Sequence, residues 1–286
     1  MPRPPVDLHQ KIPLILEHTI GLPAEAVRPL AHHERSANDA FNLLGYLRRL
    51  LERVPKYEAV YERHMGHLRR MVLVSLIESF ERLLKELAAV CIDSLVNYVA
   101  DDRFDRMGAT GGQIAVHFGA GTVGKALCES DTWLSNRTVN ERFRSLLRDP
   151  FGSPWEEYVF PDQGQKPVAQ QPAARTLAVL WQVRHTITHN VGMITRSDGI
   201  KLKLLLRRDV STDCILAPTE DDLRYVKRFL SDLGRTTNDR IAQRLAAILT
   251  ILHQQSPMLL DAQAQADALS KQFGLAVTID GMVGQT

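Results

Sequence analysis

The sequence is poor in cysteine, and the few that it has are badly placed for cross-linking or for binding metal. It holds three in 286 residues, Cys91, Cys128 and Cys214, which are far apart. An odd number at wide spacing does not fit a disulfide framework, and no pair has metal-ligand spacing. We therefore expect three small buried side chains in a reducing compartment.

Long apolar stretches are also missing. The longest, around Met71 to Ile77, is far shorter than the roughly 20 residues that a membrane-spanning helix needs. The N-terminal residues, Met1 to Pro5, lack the apolar stretch of a signal peptide. These two absences predict a cytoplasmic protein that makes no contact with a membrane.

The chain has no strong charge of either sign. Its net charge is +2 and its isoelectric point is about 8.4, with 44% hydrophobic and 24% charged residues. Such a composition is ordinary for a soluble globular protein. A protein that coats nucleic acid would be more basic, whereas a nuclease needs only a local basic patch.

What the sequence does contain is mostly helical patterning, which predicts a mainly-α fold. We divide it into an N-terminal helical region (1–67), a core (68–200) and a C-terminal region (201–286). Within the core, 101–169 is rich in glycine and proline and is expected to be a loop-rich insertion with short helices.

A turn signal at Arg196-Ser-Asp-Gly199 ends the core, and the C-terminal region is then expected to open with a small β-hairpin and to continue as helices. Apolar and basic residues alternate in Ile200–Leu206, and a second short apolar run follows at Asp213–Leu216. The pattern Thr219-Glu-Asp-Asp222 is typical of a capping box and predicts a helix that runs to about His253.

The segment Ala173–Ile194 is the helix with the most chemistry on it. At about 100° per residue, one arc is apolar and is predicted to face the core. That arc contains Val179, Leu180, Val183, Ile187, Val191 and Ile194. The opposite arc carries Arg184, His185, Thr188 and His189, with Gly192 near its middle.

This polar arc has the groups needed to cleave RNA without a metal. Attack by the ribose 2′-hydroxyl requires a base and an acid, for which histidine suits neutral pH, and a cation that stabilises the crowded phosphate. The planar guanidinium of Arg184 matches phosphate oxygens, and the small Gly192 leaves room for a close approach. The simpler alternative is a set of solvated side chains, with Gly192 as the C-cap.

The string Arg184-His-Thr-Ile-Thr-His189-Asn190 resembles the R-x4–6-H motif of the HEPN superfamily. A polar residue commonly follows the arginine in that family, and His185 fits this position. The segment Val74–Arg82 resembles the first core helix of such domains, which often bears an acidic residue near the site. The resemblance covers roughly 68–195 of this chain.

The resemblance implies a helical bundle and a metal-independent endoribonuclease that requires no cofactor. Arg184 would bind the scissile phosphate and His189 would act as acid or base. His185 and Asn190 would support them.

An acid supplied by Glu78 or Glu81 would also support the site. For both glutamates the alternative is a solvated helix face.

The resemblance also implies partners. The protein would form a homodimer whose two motifs meet in a composite site, and it would act on RNA as a toxin or antiviral defence effector. An inhibitory or sensor protein would hold it in check. The alternative is a non-catalytic helical scaffold that binds RNA or a partner protein.

A basic stripe beside the motif could contact RNA. Lys201 and Lys203 share one side of the expected strand, and Arg207 continues it, so these three side chains could follow a phosphate backbone. The alternative is an edge strand that its lysines protect against aggregation.

Two further patterns compete with this interpretation. The segment Gly119–Lys125 fits G-x4-G-K, but Ala126 stands where a phosphate-binding loop needs Ser or Thr, so we interpret the segment as a flexible loop. The spacing of His185 and His189 could grip zinc, but Thr186 stands where a metalloprotease needs Glu and no third ligand is evident.

Overall fold

The computed structural model describes residues 28–53, 58–99, 104, 122–129, 133–147, 172–255 and 261–279. These residues form eight α-helices and no extended strand, which confirms the mainly-α prediction. The helices are α1 (Pro29–Glu52), α2 (Glu58–Leu95), α3 (Val123–Glu129), α4 (Asn136–Leu147), α5 (Pro172–Asn190), α6 (Arg196–Leu206), α7 (Glu220–Gln255) and α8 (Ala262–Phe273).

Helix α2 is the centre of the fold. Its middle is apolar on nearly all sides, so it needs partners all round, and α1, α3, α4, α5 and α7 each pack against it. Phe80, near its midpoint, is fully buried and stacks on Trp181 of α5 with the ring centroids 6.0 Å apart. The helix that carries the motif is thus fixed to the middle of the core.

The central helix is continuous across Leu68, where we placed the start of the core region. Its two neighbours α1 and α7 also contact each other, and α8 closes the other side of α1 and α7. One hydrophobic core cluster therefore draws residues from every described helix except α6.

The predicted β-hairpin is wrong. Residues Ile200–Leu206 belong to helix α6, and the second run contributes only an isolated antiparallel bridge between Met193 and Ile215. The side chain of Thr195 accepts the backbone N–H of Asp198, and the side chain of Asp198 accepts that of Thr195. This reciprocal capping box starts a helix at Arg196, where the sequence suggested only a turn.

Other helices pack on two sides of α5, which carries the motif, whereas the sequence predicted a single buried face. Leu180 is buried as predicted, but Val191 is exposed and lies beyond the helix end. Trp181 and Thr186, outside the predicted apolar arc, are buried. The single-face prediction failed because α2 and α6 both pack on α5 and leave an open strip between them.

Gly192 ends the motif helix instead of making room for a phosphate. It lies two residues beyond Asn190, the last helical residue, its φ is +86°, and its N–H donates to the carbonyl oxygen of Thr186 at 3.2 Å. A Cβ at this position would also lie 2.7 Å from Cδ of Arg70. The C-cap alternative is therefore the correct one.

The end of the G-x4-G-K pattern has a packing role. Gly124 lies in the first turn of α3, its N–H donates to Asp93 Oδ1 at 2.8 Å, and a Cβ there would overlap the carbonyl group of Ala89. Only glycine allows α3 to approach α2 this closely. The preceding residues, 119–121, lie outside the described residues.

Candidate functional site

A cleft of about 730 Å³ lies over the open strip of α5. Its walls come from α2, the start of α4, α5 and α6. The cleft is lined by Glu81, Lys85, Leu134, Ser135, Asn136, Thr138, Ala178, Trp181, Gln182, Arg184, His185, His189, Lys201 and Leu205. The residues Arg184, His185 and His189 of the motif thus face one concave surface.

The two histidines of the motif lie against each other. One helical turn separates His185 from His189, and their ring centroids are 4.6 Å apart with the planes tilted by 44°. Both side chains are exposed to solvent. Exposed imidazoles can exchange protons with water, which acid–base catalysis requires.

The guanidinium of Arg184 reaches across to α2. Its Nη2 donates to Glu78 Oε1 at 3.0 Å, and only 19% of its side chain is exposed. Because Glu78 is 46% exposed, the contact is a half-open ion pair in which one carboxylate meets one edge of the arginine fork. A guanidinium has five N–H donors, so this contact leaves others for a phosphate.

The second predicted supporting acid, Glu81, is committed to the fold. Its Oε1 accepts the backbone N–H of Trp133 at 2.7 Å and lies 3.3 Å from Lys85 Nζ. Its side chain is 11% exposed. Glu81 therefore fixes the segment that leads into α4 to the central helix, while it also lines the cleft.

The buried carboxylate of Asp198 in α6 is hydrogen-bonded to two residues of α5, one on each side of the motif. Asp198 accepts hydrogen bonds from Gln182 Nε2 at 2.9 Å, from Asn190 Nδ2 at 2.7 Å and from Thr195 Oγ1 at 2.8 Å. Burial acts to raise its pKa, but the hydrogen bonds from Thr195 and Asn190 and the nearby His185 outweigh burial, so the pKa of Asp198 lies below its usual value. The carboxylate is thus held ionised between α5 and α6.

Asn190, one of the predicted supporting residues, therefore acts through Asp198. It is the last residue of α5, and the next residue, Val191, adopts a φ of 53°. A positive φ is unusual for a β-branched residue. The bond from Asn190 to Asp198 spans this turn and fixes the end of the helix that carries His189.

The three basic residues predicted beside the motif separate in the structure. Lys201 lines the cleft. Lys203 forms an ion pair with Asp209, with Nζ and Oδ1 2.6 Å apart. Arg207 is the C-cap of α6, in the left-handed conformation with φ 54°. Only Lys201 joins the site, because side chains two apart on a helix do not share a face.

Sequence reasoning missed three contributors to the site. Lys85 of α2 and the start of α4 line the cleft, and Asp198 supports it from behind. Lys85 and α4 carried no local signal. Asp198 did carry one, since Thr195-Arg-Ser-Asp198 fits the S/T-x-x-D/E capping pattern, which we interpreted as a turn.

The electrostatics of the cleft favour an anion. Three cationic side chains, Lys85, Arg184 and Lys201, and one carboxylate, Glu81, line it. Cationic side chains therefore outnumber carboxylates in the lining even when both imidazoles are neutral, while Glu78 is paired with Arg184 and Asp198 lies behind the cleft. No group of three or more His, Cys, Asp or Glu side chains that could hold a metal ion occurs in the described part of the chain.

No described helix is both long and apolar enough to span a bilayer. Comparison of the chain with protein-family models, with curated proteins and with solved structures finds no significant match to any of them.

Proposed function

We propose that the chain is a metal-independent endoribonuclease of the HEPN type. The observation that carries the proposal is that Arg184 and His189 line one cleft in which cationic side chains outnumber carboxylates. In this reaction the 2′-hydroxyl loses its proton and attacks the adjacent phosphorus, and the bond from phosphorus to the 5′-oxygen breaks. The leaving 5′-oxygen takes up a proton, so the products are a 2′,3′-cyclic phosphate and a 5′-hydroxyl.

His189 is the proposed acid–base group, and Arg184 stabilises the charge on the phosphate. His185 supports His189 by ring contact, and Asn190 and Asp198 hold the helix end in place. Glu78 is the resting partner of Arg184, from which substrate would take over one edge of the guanidinium. Three of the contacts that these assignments use are already formed, between His185 and His189, between Arg184 and Glu78, and between Asn190 and Asp198.

Two copies of the chain together would supply the second acid–base group. Support for a dimer comes from the end of the motif helix, where Val191, Met193 and Ile215 expose apolar side chains beside His189. Such side chains gain free energy when another surface covers them. A homodimer docked there would bring two motifs together.

An RNA-cleaving enzyme of this kind would harm its own cell unless restrained. We therefore propose a role as a toxin or antiviral defence effector in the cytoplasm, held in check by an inhibitory or sensor protein. The proposal predicts that expression of the unrestrained protein slows growth.

The test is a cleavage assay in EDTA. Purified wild type, His189→Ala and, as a matched control, His67→Ala are mixed with total RNA, and the products are resolved on a denaturing gel. His67 is an exposed histidine on α2 that does not line the cleft. Cleavage by the wild type and the control alone, leaving cyclic phosphate or 3′-phosphate ends, is the expected result.

A second candidate function is a non-catalytic helical scaffold that binds RNA or a partner protein. The ion pair between Arg184 and Glu78 favours it, because an arginine already paired can serve a structural role. Absence of cleavage by the wild type, together with a protein or RNA that copurifies with it, would favour the scaffold.

A further inference from the structure

We infer that the cleft holds the base of one unpaired nucleotide beside the phosphate bound by Arg184, and that the start of α4 recognises this base. The inference rests on the proposed ribonuclease function and adds a specificity site to it. Helix α4 lies in the segment between α2 and α5. The recognition wall would thus come from outside the motif helix.

The size of the cleft suits one nucleotide. At about 730 Å³ it falls within the range of roughly 300–1,000 Å³ that is usual for small-ligand pockets. Bases in a duplex remain stacked and paired, so their faces and pairing edges are hidden. An unpaired base can turn out of its stack and enter a side pocket.

The chemistry of the walls suits the two faces of a base. Leu134, Ala178 and Leu205, from three different elements, present apolar surface to the cleft. Behind them Trp181 is buried, and its Nε1 donates to Asn136 Oδ1 at 2.9 Å, which fixes α5 to the start of α4. This hydrogen bond holds the two sides of the wall together before any ligand arrives, which reduces the ordering cost of binding.

Polar groups at the α4 end suit the edge of the base. The hydroxyl oxygens of Ser135 and Thr138 lie 2.7 Å apart, and either can donate. The side-chain amide of Asn136 is already engaged by Trp181 and by the carbonyl oxygen of Ala174. Ser135 also caps α4 by accepting the N–H of Thr138, which leaves the hydroxyl of Thr138 as the group best placed to discriminate among bases.

Lys201, on the α6 side of the cleft, and Arg184, on α5, complete the arrangement. They supply positive charge for the phosphates on either side of the nucleoside. Apolar faces, hydroxyl groups and cations thus line one concavity, which is the set of groups that a nucleotide needs.

The test measures RNA binding apart from cleavage. Every protein in the binding measurement carries His189→Ala, and protein with His189 intact is assayed separately. Fluorescence anisotropy in EDTA measures binding of labelled oligoadenylate, oligouridylate and oligocytidylate and of a short RNA duplex. Leu205→Trp fills the cleft, whereas Leu204→Trp places the same ring at the neighbouring position, which is 74% exposed and does not line the cleft. Thr138→Val removes only the hydroxyl group.

We expect Leu205→Trp to weaken binding of at least one single-stranded oligonucleotide by about tenfold, and Leu204→Trp to leave it unchanged. Thr138→Val should change the ratio of the three affinities, and the duplex should bind more weakly than the best single strand. Thermal melting of each variant verifies that it is folded, and Thr138→Val keeps the test decisive if Leu205→Trp does not fold.

Two failures can be told apart. If Leu205→Trp binds every oligonucleotide as Leu204→Trp does, and Thr138→Val leaves the ratios unchanged, while protein with His189 intact cleaves RNA, the base site is wrong and the ribonuclease stands. If protein with His189 intact neither cleaves nor binds RNA, the proposed function fails and the base site fails with it.

Discussion

Histidine occupies two contrasting regions of this protein, the core around His33 and the cleft around His189. His33 is 3% exposed, its Nδ1 lies 3.0 Å from Ser79 Oγ, and burial lowers its pKa to about 4. His189 lies exposed in the cleft beside Arg184 and against the ring of His185. One region holds a neutral ring, and the other leaves its rings open to solvent.

The comparison shows that residue type alone does not identify a catalytic histidine. The chain has ten histidines, and His33 has a second histidine, His32, as its neighbour in the sequence, just as His189 has His185 nearby. His33 and His189 differ in their access to water. A ring that cannot be solvated when charged remains neutral and serves as a structural hydrogen-bonding group. Three predictions test this difference between the two regions, in order of decreasing expected effect.

The largest effect is expected from Arg184→Ala. Loss of the cation that stabilises the phosphate should reduce cleavage by about 100- to 1,000-fold and relieve the slow growth of expressing cells. The free energy of unfolding should fall by about 1 kcal/mol or less, because Glu78 is half exposed and solvent screens the pair. Gel assays of RNA, growth curves and urea unfolding measure the three quantities.

The matched control for this prediction is Arg235→Ala. Arg235 of α7 is also ion-paired, with Nη2 2.7 Å from Glu34 Oε1, but it does not line the cleft. Equal toxicity of wild type and Arg184→Ala would contradict the assignment of Arg184. A comparable loss of cleavage in Arg235→Ala would point to a general effect of surface charge.

A smaller effect is expected from the pH dependence of stability. The pKa of His33 is about 4 in the folded protein and about 6.5 when unfolded, so the unfolded state binds more protons between these values. Stability should therefore fall as pH falls from about 6.5 to 4, by about 3 kcal/mol in total from this group. Urea unfolding at a series of pH values measures it.

The comparison uses His33→Gln, which cannot titrate, and His67→Gln as an exposed control. The stability gap between wild type and His33→Gln should be widest near neutral pH and should close toward pH 4. His67→Gln should run parallel to the wild type. A constant gap for His33→Gln would show that burial of this ring is not what separates the two regions.

The smallest effect concerns the support behind the cleft. Asp198→Ala removes the acceptor shared by Gln182, Asn190 and Thr195 and should cost about 2 kcal/mol of unfolding free energy. Cleavage should fall as well, because Asn190 no longer fixes the end of the motif helix. Asp198→Asn should recover part of both, since an amide oxygen still accepts one donor.

Helix α7 offers a matched control with the same capping chemistry. Asp222 accepts from the backbone and the hydroxyl of Thr219 at 2.8 and 2.7 Å, but it is exposed and distant from the cleft. Asp222→Ala should cost about 1 kcal/mol and leave cleavage unchanged. If Asp198→Ala lowered stability no more than Asp222→Ala and left cleavage intact, Asp198 would be a cap and nothing more.

The helices were predictable where local patterns were strong. The capping box at Thr219 placed the start of α7, and the apolar periodicity of Ala173–Ile194 placed α5, within a few residues of the observed bounds. The hairpin prediction failed because the alternation of apolar and basic residues in Ile200–Leu206 is compatible with a helix as well as with a strand. There the capping contact between Thr195 and Asp198 decided the outcome.

Helical spacing and capping are local properties, so the amino-acid sequence predicts a mainly helical fold and places Arg184, His185 and His189 on one helix. The packing of the helices is what brings Lys85 and Thr138 into the cleft with them. Such contacts join positions far apart in the chain, and they follow from how the helices pack around α2. No local pattern carries that information.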